Sequence, residues 1–420
     1  MSSTQMANPS FPWLPAEVTG PKLQRATGAY RYYAGYSHDF VRDILNGWPE
    51  DELILDPWNG SGATTTVAAT LGKWCVGVDL NPAMVAIARA SLLTERDTDR
   101  IHRQARGLRQ LKHAATAVQH DDPLLEWFDA ASVCRLRSIQ SWLVGLNRLD
   151  IEDVSDLDHA QSYWLTVLFG IVRNAAVAWR SSNPTWTKPG DGIQHASLEW
   201  EEMKGALVDT GMAATPLQEG DAGRSNVFLG DSAELSEVGA EPHLVLGSPP
   251  YCTRIDYAMA TRVELSVLGL NAVKQTELRR RLMGTTTVPT KEVALTSVVG
   301  ETARRTLQLV RSHPSKASST YYAKWLAQYI DSFASSLCEL SRVAAPEGAI
   351  GIVVQGSYYK ELLIDLPSIT TDILNGLGWR LVRSYSFPHR RSLAHINPRA
   401  IGYRDGGGPS EHALFFGRMC

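Results

Sequence analysis

The stretch from Leu53 to Thr65 constrains the fold of this chain more than any other, because it joins an apolar strand to a glycine turn and a helix. Residues 53–55 predict a buried strand, Gly60-Ser61-Gly62 predicts a tight turn, and a helix is expected from Ala63. Glycine has no Cβ, so such a turn lets the backbone approach a ligand closely. Any α/β protein favours glycine between strand and helix, so the turn alone leaves the ligand open.

A second strand follows the first helix and ends at a carboxylate. Residues 74–78 are apolar, and Asp79 comes directly after them. A carboxylate about 20 residues beyond a glycine turn is where a nucleoside ribose finds its hydroxyl partner. The alternative is that Asp79 caps the helix expected from Asn81. The first third of the chain therefore predicts the opening half of a nucleoside-binding α/β sheet.

Further strands and helices alternate along the rest of the chain. Strands are predicted at residues 227–232, 243–247, 349–355, 380–387 and 412–416, and helices at 321–343 and 364–377. Alternating strands and helices are typical of a doubly wound, mostly parallel sheet. No helix is predicted between the last two strands, which indicates one antiparallel strand.

Two segments interrupt this pattern and are predicted to be insertions. Helical periodicity without a strand signal runs from about residue 97 to residue 182, and its aromatic residues are expected to form its own core. We expect a lead-in at residues 1–30, a catalytic domain at 31–96, 224–270 and 319–420, a helical insertion at 97–223 and a basic insertion at 271–318.

A second motif lies far downstream of the glycine turn. Residues 243–247 form an apolar strand that ends in Ser248-Pro249-Pro250-Tyr251. Together the two motifs resemble those of the DNA amino-methyltransferases, DPFxGSGTT and (D/N/S)PPY; here they read DPWNGSGAT and SPPY. The departures are Trp58 for Phe and Ala63 for the first Thr. The resemblance covers most of the chain.

The resemblance implies a class I methyltransferase fold of seven strands in the order 3-2-1-4-5-7-6. Strand 1 ends at Asp56 and strand 4 at Gly247, and the strand order reverses between them. Ligands of open α/β sheets bind at such a reversal. The two motifs, about 190 residues apart in the sequence, are therefore expected to lie side by side.

The cofactor implied by the resemblance is S-adenosylmethionine. Gly60 and Gly62 are expected to lie against its methionine part, and Asp56 to bind its amino group. Asp79 is expected to accept from both ribose hydroxyls and Asp231 from the adenine amino group; the alternative for Asp231 is a cap before residues 233–234. Further cofactor contacts are assigned to Tyr36, Pro57 and Trp58, with Ser37 and His38 beside them.

The SPPY loop is expected to hold the target base. An exocyclic amine is a weak nucleophile, and acceptors on its protons favour the nitrogen geometry that attacks a methyl sulfonium. Ser248 Oγ and the carbonyl of Pro249 are predicted as those acceptors, Pro250 stiffens the loop, and Tyr251 stacks on a flipped base. The alternative is a strand-ending turn with a buried Tyr. Cys252 is interpreted as structural, because Tyr251 separates it from the prolines.

The first residue of the SPPY loop indicates which base is methylated. In the family that this chain resembles, Ser often occurs in cytosine-N4 enzymes, whereas Asp or Asn is usual in adenine enzymes, so Ser248 favours cytosine. The expected function is DNA methylation in restriction-modification or phage defence. The alternatives are adenine-N6 methylation, RNA methylation, and an inactive DNA-binding subunit.

Charge limits where DNA could bind. The net charge is −3, which gives no overall attraction to nucleic acid. Residues 271–320, however, hold nine Lys or Arg and three Glu, which indicates either a phosphate-binding surface or a solvated helix. Contacts to DNA, with double-stranded DNA favoured, are assigned to five arginines: Arg279, Arg280, Arg281, Arg390 and Arg391. Arg390 and Arg391 lie in the final loop with His395 and Asn397-Pro398, and the alternative for this loop is an ordinary surface hairpin.

Composition narrows the cellular setting. The chain has 44% hydrophobic residues and no apolar run of about 20 residues, so no membrane span is expected. The N-terminus has no basic start or apolar core of a secretion signal. Five cysteines without paired spacing predict reduced thiols in the cytoplasm and no metal site. Protein partners from a defence system are a further expectation.

Overall fold

The computed structural model describes most of the chain. The described residues are 11–21, 36–112, 119–145, 154–176, 195–217, 220–236, 239, 241–253, 255–388 and 410–419. Their strands are β1 (Ile54–Asp56), β2 (Cys75–Asp79), β3 (Ser225–Leu229), β4 (Leu244–Gly247), β5 (Ala349–Gln355), β6 (Ser357–Tyr359), β7 (Leu362–Ile364), β8 (Trp379–Phe387) and β9 (Glu411–Arg418).

Thirteen α-helices are formed within the same residues. They are α1 (His38–Leu45), α2 (Ala63–Thr70), α3 (Pro82–Arg89), α4 (Glu95–Leu108), α5 (Ala130–Val144), α6 (His159–Ala175), α7 (Trp200–Met212), α8 (Tyr257–Ala260), α9 (Arg262–Val267), α10 (Ala272–Arg281), α11 (Glu301–Ser312), α12 (Ala323–Val343) and α13 (Leu366–Gly376).

Seven strands form one sheet in the order β3-β2-β1-β4-β5-β9-β8. Strands β1 to β5 pair in parallel, and β9 runs antiparallel to both β5 and β8. The short strands β6 and β7 form a separate hairpin. Without that hairpin the order reads 3-2-1-4-5-7-6, so the predicted doubly wound, mostly parallel sheet is confirmed.

Side chains of the central strands alternate between two apolar layers. Ile54 of β1 is buried in a cluster with Phe40 of α1, whereas Leu55 is buried in a cluster with Phe333 of α12. Successive strand residues point to opposite faces, so a run of consecutive apolar residues requires helices on both sides. Strand β1 therefore lies inside the sheet between β2 and β4, where the strand order reverses. In open α/β sheets the carboxyl ends of the strands at such a reversal border a cleft.

The residues between β2 and β3 are largely helical. The described part of 97–223 contains α5 to α7 and most of α4, and its β-type pairing is a single bridge from Phe128 to Ala196. Trp127 and Trp164 are fully buried in its core, but α3 and α9 contribute to the same cluster. The aromatic residues are therefore core residues, as expected, in a core that is shared with neighbouring helices.

This helical layer also covers an edge of the sheet. Strand β3 is the outermost strand on that side, and its Leu229 N–H donates to Ser155 Oγ at 2.7 Å. Arg89 of α3 donates to the carbonyls of Val227 and Leu157. A side chain of the inserted segment thus satisfies an N–H group of the edge strand, and Arg89 connects the two segments through one carbonyl of each.

Candidate active site

The two motifs meet at the carboxyl ends of β1 and β4. The strands are neighbours, with Ile54 opposite Leu244 and Leu55 opposite Val245. At Gly247 a Cβ would lie 2.9 Å from Asp56 Oδ1 and 3.1 Å from Pro57 Cδ, closer than real contacts allow. The loop after β4 therefore begins in contact with the loop after β1, and only glycine permits that approach.

The turn after β1 requires both of its glycines. Gly60 has φ of +51° and Gly62 has φ of +89°, values that favour glycine. A Cβ on Gly62 would also lie 2.8 Å from the Cβ of Ala88 in α3, so α2 begins packed directly against α3. At Gly60 a Cβ would find only the carbonyl of Trp58 within 4 Å, at 3.8 Å, so there is room beside this residue.

Asp56 is buried at the end of β1 and bonded to three groups. Its Oδ2 accepts from Tyr36 Oη at 3.1 Å and from Thr64 Oγ1, and its Oδ1 accepts from Trp58 N at 3.1 Å. Burial raises the pKa of this carboxyl to about 7, although the bonds from Thr64, Trp58 and Tyr36 oppose the shift. A buried carboxyl of this kind ionises readily beside a cation, because the cation offsets the desolvation of the charge.

Asp79 is bound to the same turn from the end of β2. Its Oδ2 accepts from Gly60 N and its Oδ1 from Asn81 N, each at 2.8 Å. The N-cap of α3 is Asn81, whose side chain accepts from Ala83 N, so Asp79 is not the cap residue. Burial raises the pKa of Asp79 to about 6, and its side chain is partly exposed. Each oxygen has further acceptor capacity for hydroxyl groups.

Trp58 connects the first turn to the turn after β3. Its indole Nε1 donates to Ser232 Oγ at 2.9 Å, and Ser232 Oγ lies 2.8 Å from Ser336 Oγ of α12. The adjacent Asp231 accepts from Ala233 N at 3.0 Å through Oδ1, which is the capping role considered as the alternative. Its Oδ2 lies 3.6 Å from Arg281 and belongs to a side chain that is 31% exposed.

The SPPY loop is fixed by hydroxyl groups. Ser248 Oγ donates toward the carbonyl of Val353 at 3.1 Å and lies 3.4 Å from Tyr251 Oη. Tyr329 of α12 donates to the carbonyl of Pro250 at 2.7 Å. Since the proton of Ser248 is directed to these acceptors, the lone pairs of its oxygen remain available to an incoming donor.

Tyr251 donates its hydroxyl proton to Glu411, the first residue of β9. Burial raises the pKa of Tyr251 well above its usual value, and the neighbouring Glu411 carboxylate raises it further. Tyr257 lies beside both halves of the site, because the Tyr251 backbone and the Asp79 carboxylate both influence its pKa. Burial raises the pKa of Tyr257 to about 12, and the Asp79 charge acts in the same direction. The hydrogen bond to the Tyr251 backbone opposes this shift. Tyr251 is thus a neutral hydrogen-bond donor.

Four residues of this site were not predicted from the sequence. Thr64, Tyr257, Tyr329 and Glu411 all contact the predicted residues through side chains. Thr64 follows the glycine turn directly and could have been found as a hydroxyl in the first turn of α2. The other three carry no motif, and only the fold brings them to the SPPY loop.

The three arginines at the end of α10 differ in their surroundings. Arg279 is paired with the buried carboxylate of Asp256, and its Nη2 also donates to Thr286 Oγ1 at 2.7 Å. Arg280 and Arg281 are exposed, and Arg281 extends to Asp231. Arg279 therefore holds α10 against the loop that follows SPPY, while the exposed Arg281 stands beside Asp231. Arg390, Arg391, His395 and Asn397-Pro398 lie outside the described residues.

Other reactive groups do not add chemistry to the site. Cys252 is buried, and burial raises the pKa of its thiol, so the thiolate form is disfavoured. Within the described residues no group of three or more His, Cys, Asp or Glu side chains is placed to hold a metal ion. Among the helices that the structure describes, none has the length and apolar content needed for a bilayer crossing.

Proteins that are similar to this chain include two curated type II methyltransferases and an rRNA methyltransferase of solved structure. The type II methyltransferase M.BsoBI of Geobacillus stearothermophilus is 20% identical over 416 aligned residues, which cover 86% of this chain and 80% of that protein. The type II methyltransferase M2.DpnII of Streptococcus pneumoniae is 41% identical over 58 residues, 14% of this chain and 22% of that protein. No protein-family profile matches the chain.

The solved structure is the rRNA methyltransferase aviRa of Streptomyces viridochromogenes. The two proteins are 12% identical, and the superposition covers 97% of this chain and 91% of that chain with a TM-score of 0.28. The sheet order, the glycine turn and the similarity to M.BsoBI agree with one another. The strand order is that of the Rossmann-like methyltransferase fold.

Proposed function

We propose that this chain methylates the exocyclic amine of a base in DNA, most favourably N4 of cytosine. The observation that carries the proposal is the contact between the two loops: Gly247 at the start of the SPPY loop lies against Asp56 at the start of the glycine turn. Two ligands bound to these loops would lie side by side. That is the arrangement a direct transfer between them requires.

One half of the cleft suits S-adenosylmethionine, which supplies an activated methyl group on a sulfonium. Asp56 would bind the amino group, since a cation there favours the ionised form of this buried carboxyl. Asp79 would accept the ribose hydroxyls while holding Gly60 N–H. The space beside Gly60 would admit the methionine part, and Asp231 would bind the adenine amino group.

The other half suits a planar base with an amine at its edge. Ser248 Oγ and the Pro249 carbonyl would accept the two amine protons, which localises the nitrogen lone pair for attack on the methyl carbon. Tyr329 and Pro250 would keep the loop rigid through the 2.7 Å bond between them. Tyr251 would stack on the flipped base.

The substrate assignment rests on two features. Ser248 at the head of the loop favours cytosine over adenine, by resemblance to cytosine-N4 enzymes. DNA is favoured by the SPPY resemblance, by the similarity to type II methyltransferases, and by the exposed Arg280 and Arg281 in the last turn of α10. The setting that we propose is the cytoplasm of a prokaryote, in restriction-modification or phage defence, alone or with protein partners.

The test is methyl transfer from radiolabelled S-adenosylmethionine to duplex DNA, with single-stranded DNA and total RNA in parallel reactions. We expect label in DNA, and nucleoside mass spectrometry should identify N4-methylcytosine. N6-methyladenine would contradict the assignment of the base, and label in RNA alone would contradict the assignment of the nucleic acid. Absence of label with intact cofactor binding would indicate an inactive subunit.

Two classes of variant separate the halves of the cleft. Pro249→Ala and Tyr251→Ala should abolish methylation and leave cofactor binding by calorimetry largely intact. Gly60→Val should remove both, because a β-branched residue does not adopt φ of +51°. Full turnover by Tyr251→Ala would contradict the stacking role.

A further inference from the structure

Three oxygen-bearing side chains run in a line from the SPPY loop to the start of β9. Ser248 Oγ lies 3.4 Å from Tyr251 Oη, and Tyr251 Oη donates to Glu411 Oε1. Glu411 is separated from Tyr251 by 160 residues and enters the site only because β9 is inserted between β5 and β8. The SPPY motif itself accounts for Ser248 and Tyr251, but not for Glu411.

Each donor in this line has a defined direction. An ionised carboxylate only accepts, so Tyr251 must direct its proton to Glu411. The Tyr251 oxygen is then an acceptor on the side of Ser248. Ser248 has one proton, shared between the Val353 carbonyl at 3.1 Å and Tyr251, and rotation about its Cβ–Oγ bond selects between them. Its lone pairs face any donor that enters the cleft.

The strand partners of Glu411 in the sheet are uncharged residues. In the sheet it lies opposite Gln355 of β5 and Phe387 of β8, neither of which is charged. The next residue on its own strand, His412, has its pKa lowered by burial and is neutral. From the loop, Tyr251 contacts it directly, and Tyr257 lies close enough to Tyr251 to influence its pKa.

Methylation of an amine must release a proton. This reasoning rests on the proposed function. We propose that Glu411 receives that proton through Tyr251 and Ser248. As the nitrogen–methyl bond forms and the sulfur–methyl bond breaks, its electron pair remaining on sulfur, the amine proton passes to Ser248 Oγ. The Ser248 proton passes to Tyr251 Oη and the Tyr251 proton to Glu411. The products are a neutral methylated amine, a neutral thioether and a protonated Glu411.

The relay does not require a free phenolate. Burial and the Glu411 charge both raise the pKa of Tyr251, so its hydroxyl stays protonated until it gains one proton and loses another in the same event. Ser248 is the catalytic residue, since it touches the substrate amine, whereas Glu411 acts through the other two. Removal of such a proton acceptor typically lowers the rate by about 10² to 10⁴-fold.

The test compares Glu411→Gln with Tyr251→Phe in single-turnover methylation of DNA. Glutamine keeps an oxygen that accepts from Tyr251 but takes up no proton, and phenylalanine keeps the ring but not the relay. We expect each variant to lose at least about 100-fold in single-turnover rate, with the KM for DNA and the Kd for cofactor within about threefold of wild type. Glu411→Asp, which retains the carboxylate, should recover part of the loss.

A purely structural role for Glu411 predicts a different result. Glu411→Gln would then retain nearly full activity, and that outcome would overturn the proposal. Glu201→Gln, in an exposed pair on α7, is the matched control and should be unaffected. The wild-type single-turnover rate should also fall in D₂O, and its dependence on deuterium content should indicate that more than one proton moves in the rate-limiting step. A rate that is unchanged in D₂O would overturn the relay. Wild-type protein that methylates no DNA would refute the proposed function instead.

Discussion

The indole nitrogen of Trp58 donates to Ser232 Oγ at 2.9 Å, and this bond joins the turn after β1 to the turn after β3. Both turns carry residues that we propose bind the cofactor. Ser232 is in turn bonded to Ser336 of α12, so the indole is the outer end of a three-residue chain. Trp58, which stands where the DPFxGSGTT motif has Phe, therefore has a specific partner.

Trp58→Phe should weaken cofactor binding at a small cost to the stability of the fold. The substitution removes one hydrogen bond of about 1 kcal/mol and leaves Ser232 bonded to Ser336. We expect a Kd for S-adenosylmethionine raised by about three- to tenfold, measured by calorimetry, because the two turns are no longer joined. Ser232→Ala should have a similar effect, and an unchanged Kd in both variants would show that the bond does not organise the cleft.

Gly62→Ala should destabilise the protein more than Gly72→Ala. Both glycines have positive φ, but a Cβ at Gly62 would lie 2.8 Å from Ala88 Cβ, whereas a Cβ at Gly72 would have nothing within 4 Å. Backbone strain of about 1–2 kcal/mol is common to both, and only Gly62→Ala adds a steric clash of about 1–3 kcal/mol. Urea unfolding measures the difference. Equal losses would mean that α2 and α3 separate without cost.

Arg279→Ala should lower the stability of the protein, whereas Arg280→Ala should weaken its binding to DNA. Removal of Arg279 leaves the buried Asp256 carboxylate without its cation, so we expect a loss of about 3–5 kcal/mol in the free energy of unfolding. Arg280 is exposed, and its removal should leave stability unchanged but weaken DNA binding and lower the slope against log salt by about one. DNA binding by Arg280→Ala equal to wild type at all salt concentrations would argue against contact between this arginine and DNA.

Without cofactor, the free energy of unfolding should fall as pH rises from about 4 to about 7. The pKa of Asp56 is raised from 3.8 to about 7 and that of Asp79 to about 6, so the folded chain holds more protons than the unfolded chain in this range. The slope is up to about 1.4 kcal/mol per pH unit for each proton. Asp56→Asn should remove its part of the slope.

Saturating S-adenosylmethionine provides the control for that pH dependence. A cationic amino group beside Asp56 favours the ionised carboxyl, so the slope should become smaller when cofactor is bound. Urea unfolding at pH 5 and pH 8, with and without cofactor, gives the four values needed. A slope that is identical in wild type and Asp56→Asn would assign the titration to other groups.

The sheet could be predicted because its strands are short apolar runs bounded by glycine or by acidic residues. The first and fourth strands, residues 54–56 and 244–247, were located within a residue or two of their observed bounds. The hairpin of β6 and β7 and helix α7 were not predicted. These elements have weak periodicity of their own and depend on packing against neighbours.

The site was accessible from the sequence only where a motif fixes local geometry. The SPPY loop and the glycine turn are such motifs, and the sheet order places them side by side. Glu411 has no such signal, because its role depends on a strand that pairs between two others. Likewise, Arg279 and Arg280 are adjacent and identical in the sequence, and the structure distinguishes them through the ion pair of Arg279 with the buried Asp256.

The bond from Leu229 to Ser155 has a consequence for attempts to shorten this protein. Strand β3 has a parallel partner on one side only, and the inserted helical layer satisfies part of its other side. A minimal version made by deleting residues 97–223 would uncover those backbone groups, and exposed strand edges recruit strands from other molecules. Self-association would therefore limit such a truncated protein before any loss of its catalytic residues.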